Sequence, residues 1–140
     1  MNAATALPRP RSAQSHLGAL RRTQLETVLR DIAGEPRFAL YVLVGPRQDP
    51  APRLAAAQAL ATRHGWTVAD RTFDLTGPTH PATRPQLARL LGAARRREIH
   101  GILAASQIDI SDDDREYAAM LAQIRDAGAA LALAREENVL

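Results

Sequence analysis

The chain has 140 residues, is 46% hydrophobic and carries one Trp, two Tyr and two Phe, which suits one domain whose core is built from Leu, Ile, Val and Ala. All 18 basic side chains are Arg, and 15 Asp and Glu reduce the net charge to +3, short of the concentrated positive field that nucleic-acid binding favours. The absence of Cys excludes disulfides, thiolate zinc sites and thiol chemistry, and no apolar run approaches the ~18 residues of a membrane-spanning helix.

Residues 1–12, MNAATALPRPRS, mix Pro, Arg and small residues without periodicity and read as a flexible arm. The N-terminus has no apolar segment of the secretory type, and the Cys-free composition fits a reducing cytoplasm, the expected location. Arg9, Arg11, Arg21 and Arg22 make this end locally basic, which gives either a solvated tail or a nucleic-acid contact. Leu25, Val28, Leu29 and Ile32 follow the i, i+3, i+4, i+7 rule, so a helix is predicted over about 14–33, stopped by Gly34 and Pro36. Its apolar stripe needs a surface to cover, on this domain or on another chain. The division is thus an arm (1–12), a helix with linker (13–36) and an α/β domain (37–140).

From Phe38 the pattern alternates. FALYVLV (38–44) is short and continuously apolar, as a strand buried on both faces would be. PRLAAAQALATRH (52–64) is helical and ends at Gly65, with His64 placed to complement the helix dipole. WTVADRTF (66–73) has strand character, and LTGPTHPAT (75–83) is a turn. Thr83 reads as the N-cap of a helix with Pro85 in its first turn and a core face of Leu87, Leu90, Leu91 and Ala94. HGILAA (100–105) is a further strand. Ser111 and Asp114 then read as a capping box for a helix buried through Tyr117, Met120, Leu121 and Ile124 and stopped by Gly128. AALALA (129–134) is the last strand. The order helix, then β-α-β-α-β-α-β, implies a three-layer α/β domain with a mostly parallel sheet of about four strands, any site lying along the carboxyl edge of the strands.

Few residues suggest chemistry by themselves. Gly45 opens a strand-to-helix loop, VGPRQDPAPR, but three prolines there remove donors, and neither G-x-G-x-x-G nor G-K-[ST] is present. His16, His64, His80 and His100 lack metal-ligand spacing, so neither metal nor cofactor is expected. A Ser-His-Asp arrangement would need Ser106 or Ser111 with His80 or His100, and no nucleophile elbow surrounds either serine. Asp109, Asp112, Asp113 and Asp114 read as a solvated helix start rather than a cation site. Arg95, Arg96 and Arg97 close a helix, where they complement its dipole or contact phosphate.

From Tyr41 to about Glu136 the order and spacing of these segments resemble the catalytic domain of serine recombinases, the resolvase and invertase family. YVLVG is similar to that family's Tyr-x-Arg-Val-Ser strand. FDLTG with TRPQLARLLGAARRREIHGILA is similar to its Asp-x-x-Ser-Gly loop, Arg-Pro-x-Leu helix and next strand. SQIDISDDDREYAAMLAQIRDAGAALAL runs without a gap against its Arg-Leu-Asp-Arg-Leu-Ser-Arg segment and the helix and strand after it. The resemblance implies a resolvase-like fold and a degenerate site. The position of the DNA-attacking serine is Gly45, and that of an active-site arginine is Leu43. Later arginine positions hold Ser106, Asp109 and Asp112, and an aspartate position holds Ile108. Tyr41 and Arg84 match, and Thr76 stands near the loop serine. The resemblance also implies a long dimerisation helix and a helix-turn-helix domain after the last strand, and both are expected to be absent before Leu140. The expected function is therefore that of a non-catalytic domain acting through a protein partner or self-association. The alternatives are a nucleic-acid-associated regulator using its Arg-rich segments and a small-molecule binder at the strand-end cleft, with no membrane role.

Overall fold

The computed structural model describes residues 8–137. Helix α1 (Pro8–Asp31) precedes β1 (Arg37–Leu43), α2 (Ala51–His64), β2 (Thr67–Asp74), α3 (Pro85–Arg95), β3 (Gly101–Ala104), α4 (Asp114–Asp126) and β4 (Ala130–Leu133). All pairings are parallel, in the order β2-β1-β3-β4. The α/β architecture read from the sequence is therefore present, with a sheet that is parallel throughout.

Both faces of the sheet are covered, which is why the strands read as unbroken apolar runs rather than alternating ones. Ala39, Tyr41, Ile102, Ala104, Leu131 and Leu133 point toward α3 and α4 and join their Leu87, Leu90, Tyr117, Met120 and Ile124. Phe38, Leu40, Leu103 and Ala132 face α2 and meet Ala57, Leu60 and Ala61. Aromatic scarcity is offset locally by a stack. Phe38 lies on Trp66 at 4.4 Å and His64 on Trp66 at 4.5 Å. His64 therefore packs on a ring as well as closing α2.

Both sheet edges are modified in ways that discourage further pairing. On β4, α1 lies along the strand: Gln24 Nε2 donates to Ala129 O at 3.1 Å and Arg21 Nη1 to Leu131 O at 3.4 Å. On β2, a register shift opposite Phe38 and Ala39 interrupts the ladder, and the Asp70 carboxylate accepts the Arg71 backbone N–H. The N-terminal helix thus packs on its own sheet. Leu25 and Leu29 contact the α2-side core, Leu17 joins the other core, and Gly18 allows close approach, since a Cβ there would lie 2.9 Å from Glu137 Oε1.

Several boundaries differ from expectation. Helix α1 already includes residues 8–12, which the sequence assigned to an arm; residues 1–7 of that arm lie outside the described residues. Arg84, not Thr83, is the N-cap of α3; Thr83 belongs to a short 3-10 turn, Pro81–Thr83, and its hydroxyl donates to His80 O. The α4 cap is Asp113, whose carboxylate accepts the Arg115 and Glu116 N–H groups. Ser111 lies one turn earlier, accepting the Asp113 N–H and donating to Glu116. A capping box does occur nearby, but it joins Ser106 to Asp109.

Candidate functional site at the strand ends

The carboxyl ends of β1 and β3 and the loops after β1, β2 and β3 enclose a cavity of about 400 Å³. Of the positions singled out by sequence, Leu43, Gly45, Arg84, Ile108, Ser111 and Asp112 line it, together with Arg53 and Glu116, which the sequence alone does not single out. Tyr41 lies fully buried within β1, and Ser106 and Asp109 stand behind the lining on the turn after β3. The fold therefore gathers residues 41–45, 84 and 106–112 at one place, as the carboxyl edge of a parallel sheet does.

Asp109 organises this place. It is fully buried, which overturns its reading as part of a solvated acidic helix start. Its carboxylate accepts the backbone N–H groups of Leu43, Ala105 and Ser106, each at 3.0 Å, and pairs with Arg53 at 2.7 Å. One side chain thereby satisfies donors at the ends of β1 and β3. Its charge is balanced inside the fold, so it does not project a repelling field as an exposed carboxylate would. Among the acidic run, only Asp112 and Asp113 are exposed, and Asp113 serves as a helix cap.

Arg84 is 1% exposed and held by carbonyls: Nε and Nη2 donate to Thr79 O at 3.2 and 2.7 Å, and Nη1 donates to Asp109 O at 2.8 Å. Asp74, also buried, accepts the Tyr41 hydroxyl at 2.9 Å and the Gln86 and Leu87 N–H groups at the start of α3. Burial raises the Tyr41 phenol well above its ordinary value; neighbouring Arg84 works against this and the Asp74 charge adds to it. Tyr41 is thus a neutral donor to Asp74. The Gly45 N–H donates to the Gln48 side-chain oxygen.

The serine candidates are placed differently. Arg53 Nη2 donates to the Ser106 hydroxyl at 3.3 Å. The Ser111 hydroxyl donates to Glu116 at 2.9 Å, and His80 Nε2 lies 3.9 Å from the other Glu116 oxygen. The carboxylate therefore sits between serine and histidine, the wrong order for a histidine base oriented by an acid. His100 is at the opposite edge of the sheet, accepting the Arg37 N–H through Nδ1. Among the described residues, no three His, Asp or Glu side chains gather to hold a metal ion, and no helix is long and apolar enough to cross a membrane.

The arginine set expected to contact nucleic acid divides. Arg21 is buried and paired with Glu137 at 2.5 Å, which leaves its guanidinium little exposure to solvent. Arg22 pairs with Glu136 at 2.6 Å and Arg96 with Glu98 at 2.8 Å, both at the surface. Arg95 and Arg97 are exposed. Arg9 and Arg11 lie outside the residues whose side chains are described.

This arrangement, a parallel 2-1-3-4 sheet with its cavity at the carboxyl ends of β1 and β3, has the fold of serine recombinase catalytic domains. The chain is similar to the N-terminal catalytic domain of TP901-1 integrase, with a TM-score of 0.63 and 16% identity over 70% of this chain and 76% of the other. It is similar to the C-terminal catalytic domain of ISC1926 TnpA, an IS607-like serine recombinase, with a TM-score of 0.63 and 14% identity over 71% of each chain. The first open reading frame of transposon ISC1904 from Sulfolobus solfataricus P2 gives a TM-score of 0.54 and 12% identity, over 74% of this chain and 70% of that one. No protein-family model matches the chain, and neither does any curated protein sequence.

Proposed function

We propose that this is a non-catalytic serine-recombinase-like domain that acts by binding a protein partner or a second copy of itself. The observation that carries the reading is that the groups able to attack or stabilise a phosphodiester are missing or committed. The position that the resemblance assigns to the nucleophile is Gly45, which has no hydroxyl. Leu43 supplies no charge beside it. Arg53 is engaged by Asp109 and Ser106, and Arg84 by the Thr79 and Asp109 carbonyls. Phosphoryl transfer needs an activated nucleophile and preorganised positive charge aimed at the developing oxyanions. The retained fold then serves as a scaffold.

The test is incubation of the purified protein with supercoiled DNA, followed by assays for nicks and for protein covalently joined to DNA ends. Neither is expected. Cleavage that is lost in Ser106→Ala or Ser111→Ala would overturn the reading. Of the arginines behind the nucleic-acid alternative, Arg21, Arg22 and Arg96 are paired within the fold and Arg95 and Arg97 are exposed.

A further inference from the structure

The strand-end cavity combines an apolar wall with a particular balance of free charge. Leu43, Val44, Pro78 and the half-exposed Ile108 line it. Most donors that would hold an anion are committed elsewhere. The Gly45 N–H is covered by Gln48, Arg53 is paired with buried Asp109, and Arg84 is bound to backbone carbonyls. Helix α4 starts beside the cavity, but its first N–H groups are taken by Asp113. Arg47, on the loop beyond Gly45, is exposed and outside the lining.

The lining groups still able to accept are acidic. Asp112 is exposed and has no partner among the described residues. Glu116 is partly exposed; one oxygen accepts the Ser111 hydroxyl and the other has only His80 at 3.9 Å. The side-chain donors left on that wall are the neutral Gln48 amide nitrogen and Nη1 of Arg53, whose guanidinium charge is already balanced by Asp109.

We infer that this cavity receives an arginine side chain, with its apolar flank, from a segment of a protein partner. The inference rests on the non-catalytic reading above. A cavity of about 400 Å³ falls in the ~300–1,000 Å³ range of sites that enclose a compact ligand. The aliphatic stem packs on Leu43, Pro78 and Ile108, as arginine stems do on apolar surface. The guanidinium reaches Asp112 and Glu116, four residues apart at the start of α4, through charge-assisted hydrogen bonds. Phosphate would meet the two carboxylates, while the guanidinium of Arg53 is paired with Asp109 and that of Arg84 is buried on the Thr79 and Asp109 carbonyls.

The test uses amide chemical shifts of the full chain titrated with acetyl-Leu-Arg-Leu-amide, its Glu-centred counterpart and n-butyl phosphate. Saturable shifts at Gly45, Gly77, Ile108 and Asp112 are expected with the arginine peptide alone. Asp112→Asn combined with Glu116→Gln should weaken that binding about fivefold or more, shifts elsewhere staying unchanged. Equal or tighter binding of the phosphate or the Glu peptide overturns the inference, as does absence of saturation or insensitivity to the double substitution. DNA cleavage is scored separately, so lack of arginine binding without cleavage removes this inference and leaves the non-catalytic reading intact.

Discussion

Arg53 Nη2 lies 2.7 Å from the fully buried Asp109 carboxylate, joining the first turn of α2 to the turn after β3. The same carboxylate accepts three backbone N–H groups. Removing it strands those donors and the guanidinium together. Asp109→Ala is expected to cost about 3–5 kcal/mol, the range for breaking a buried pair by deleting one partner. Urea denaturation measures this; a loss below about 1 kcal/mol would contradict the assigned role.

Gly101 opens β3 directly beneath Phe38. A Cβ there would lie 2.5 Å from both Ala130 O and Phe38 Cε2. Neither the sheet backbone nor a ring stacked on Trp66 yields cheaply. Gly101→Ala should destabilise by about 1–3 kcal/mol through overpacking. Equal melting temperatures for the two proteins would count against the close packing described.

Arg21 and Glu137 form a buried pair extended by the Tyr117 hydroxyl, which donates to Glu137 at 2.7 Å. Truncating Arg21 to Ala leaves the carboxylate unpaired and should cost about 3–5 kcal/mol. Arg21→Met with Glu137→Gln removes both charges and keeps the volume, and should recover part of that loss. A double mutant less stable than either single one would show that the ion pair itself, not its desolvation, dominates.

Two groups should make stability fall with acid, at different pH. Burial, helped by the nearby Arg37 charge, holds His100 below its ordinary value of 6.5. The unfolded imidazole therefore takes a proton first, and stability declines as pH drops below about 6.5. Glu137 behaves as a depressed carboxylate: burial opposes ionisation, but the Arg21 pair and the Tyr117 hydrogen bond outweigh it. Its contribution is present above about 4.5 and is lost as pH falls through its lower folded value. Melting temperature against pH should show both declines, and Glu137→Gln should reduce only the lower one, to which Asp70, held down by its hydrogen bond from Arg89, also contributes.

The Gly45 site has room for a side chain, since a Cβ would meet only the Gln48 side chain, at 3.4 Å and beyond. Gly45→Ser with Leu43→Arg should therefore fold. It should still leave supercoiled DNA intact, because Arg53 and Arg84 remain committed and Asp112 and Glu116 remain acidic. Nicking by this variant above background would refute the assignment of those arginines.

The strands and most helix limits were legible because burial on both faces leaves an unmistakable apolar run, as in Phe38–Val44 and Ala129–Ala134. The cores of α3 and α4 were equally plain from their periodicity. Asp109 was not. Followed by Asp112, Asp113 and Asp114 it looks like a solvated run, although the S-x-x-D spacing from Ser106 was a readable cap signal. The burial of Arg21 was hidden for a similar reason. A helix stripe is searched for apolar residues, and an arginine that pairs with a residue 116 positions away leaves no local trace. Arg53 escaped notice because its partner is likewise distant, at 56 positions.

The bonds from α1 to β4 also bear on how the molecule comes into being. Gln24 and Ala129 are 105 residues apart, so the first helix is made long before the strand it covers exists. During synthesis its Leu25 and Leu29 face is without its final cover, and closure of this longest loop comes late. A chain whose contacts span nearly its whole described length is expected to fold more slowly than a helical domain of the same size. The slow step should be the docking of α1, visible as a kinetic phase that quickens when the domain is permuted so that α1 follows β4.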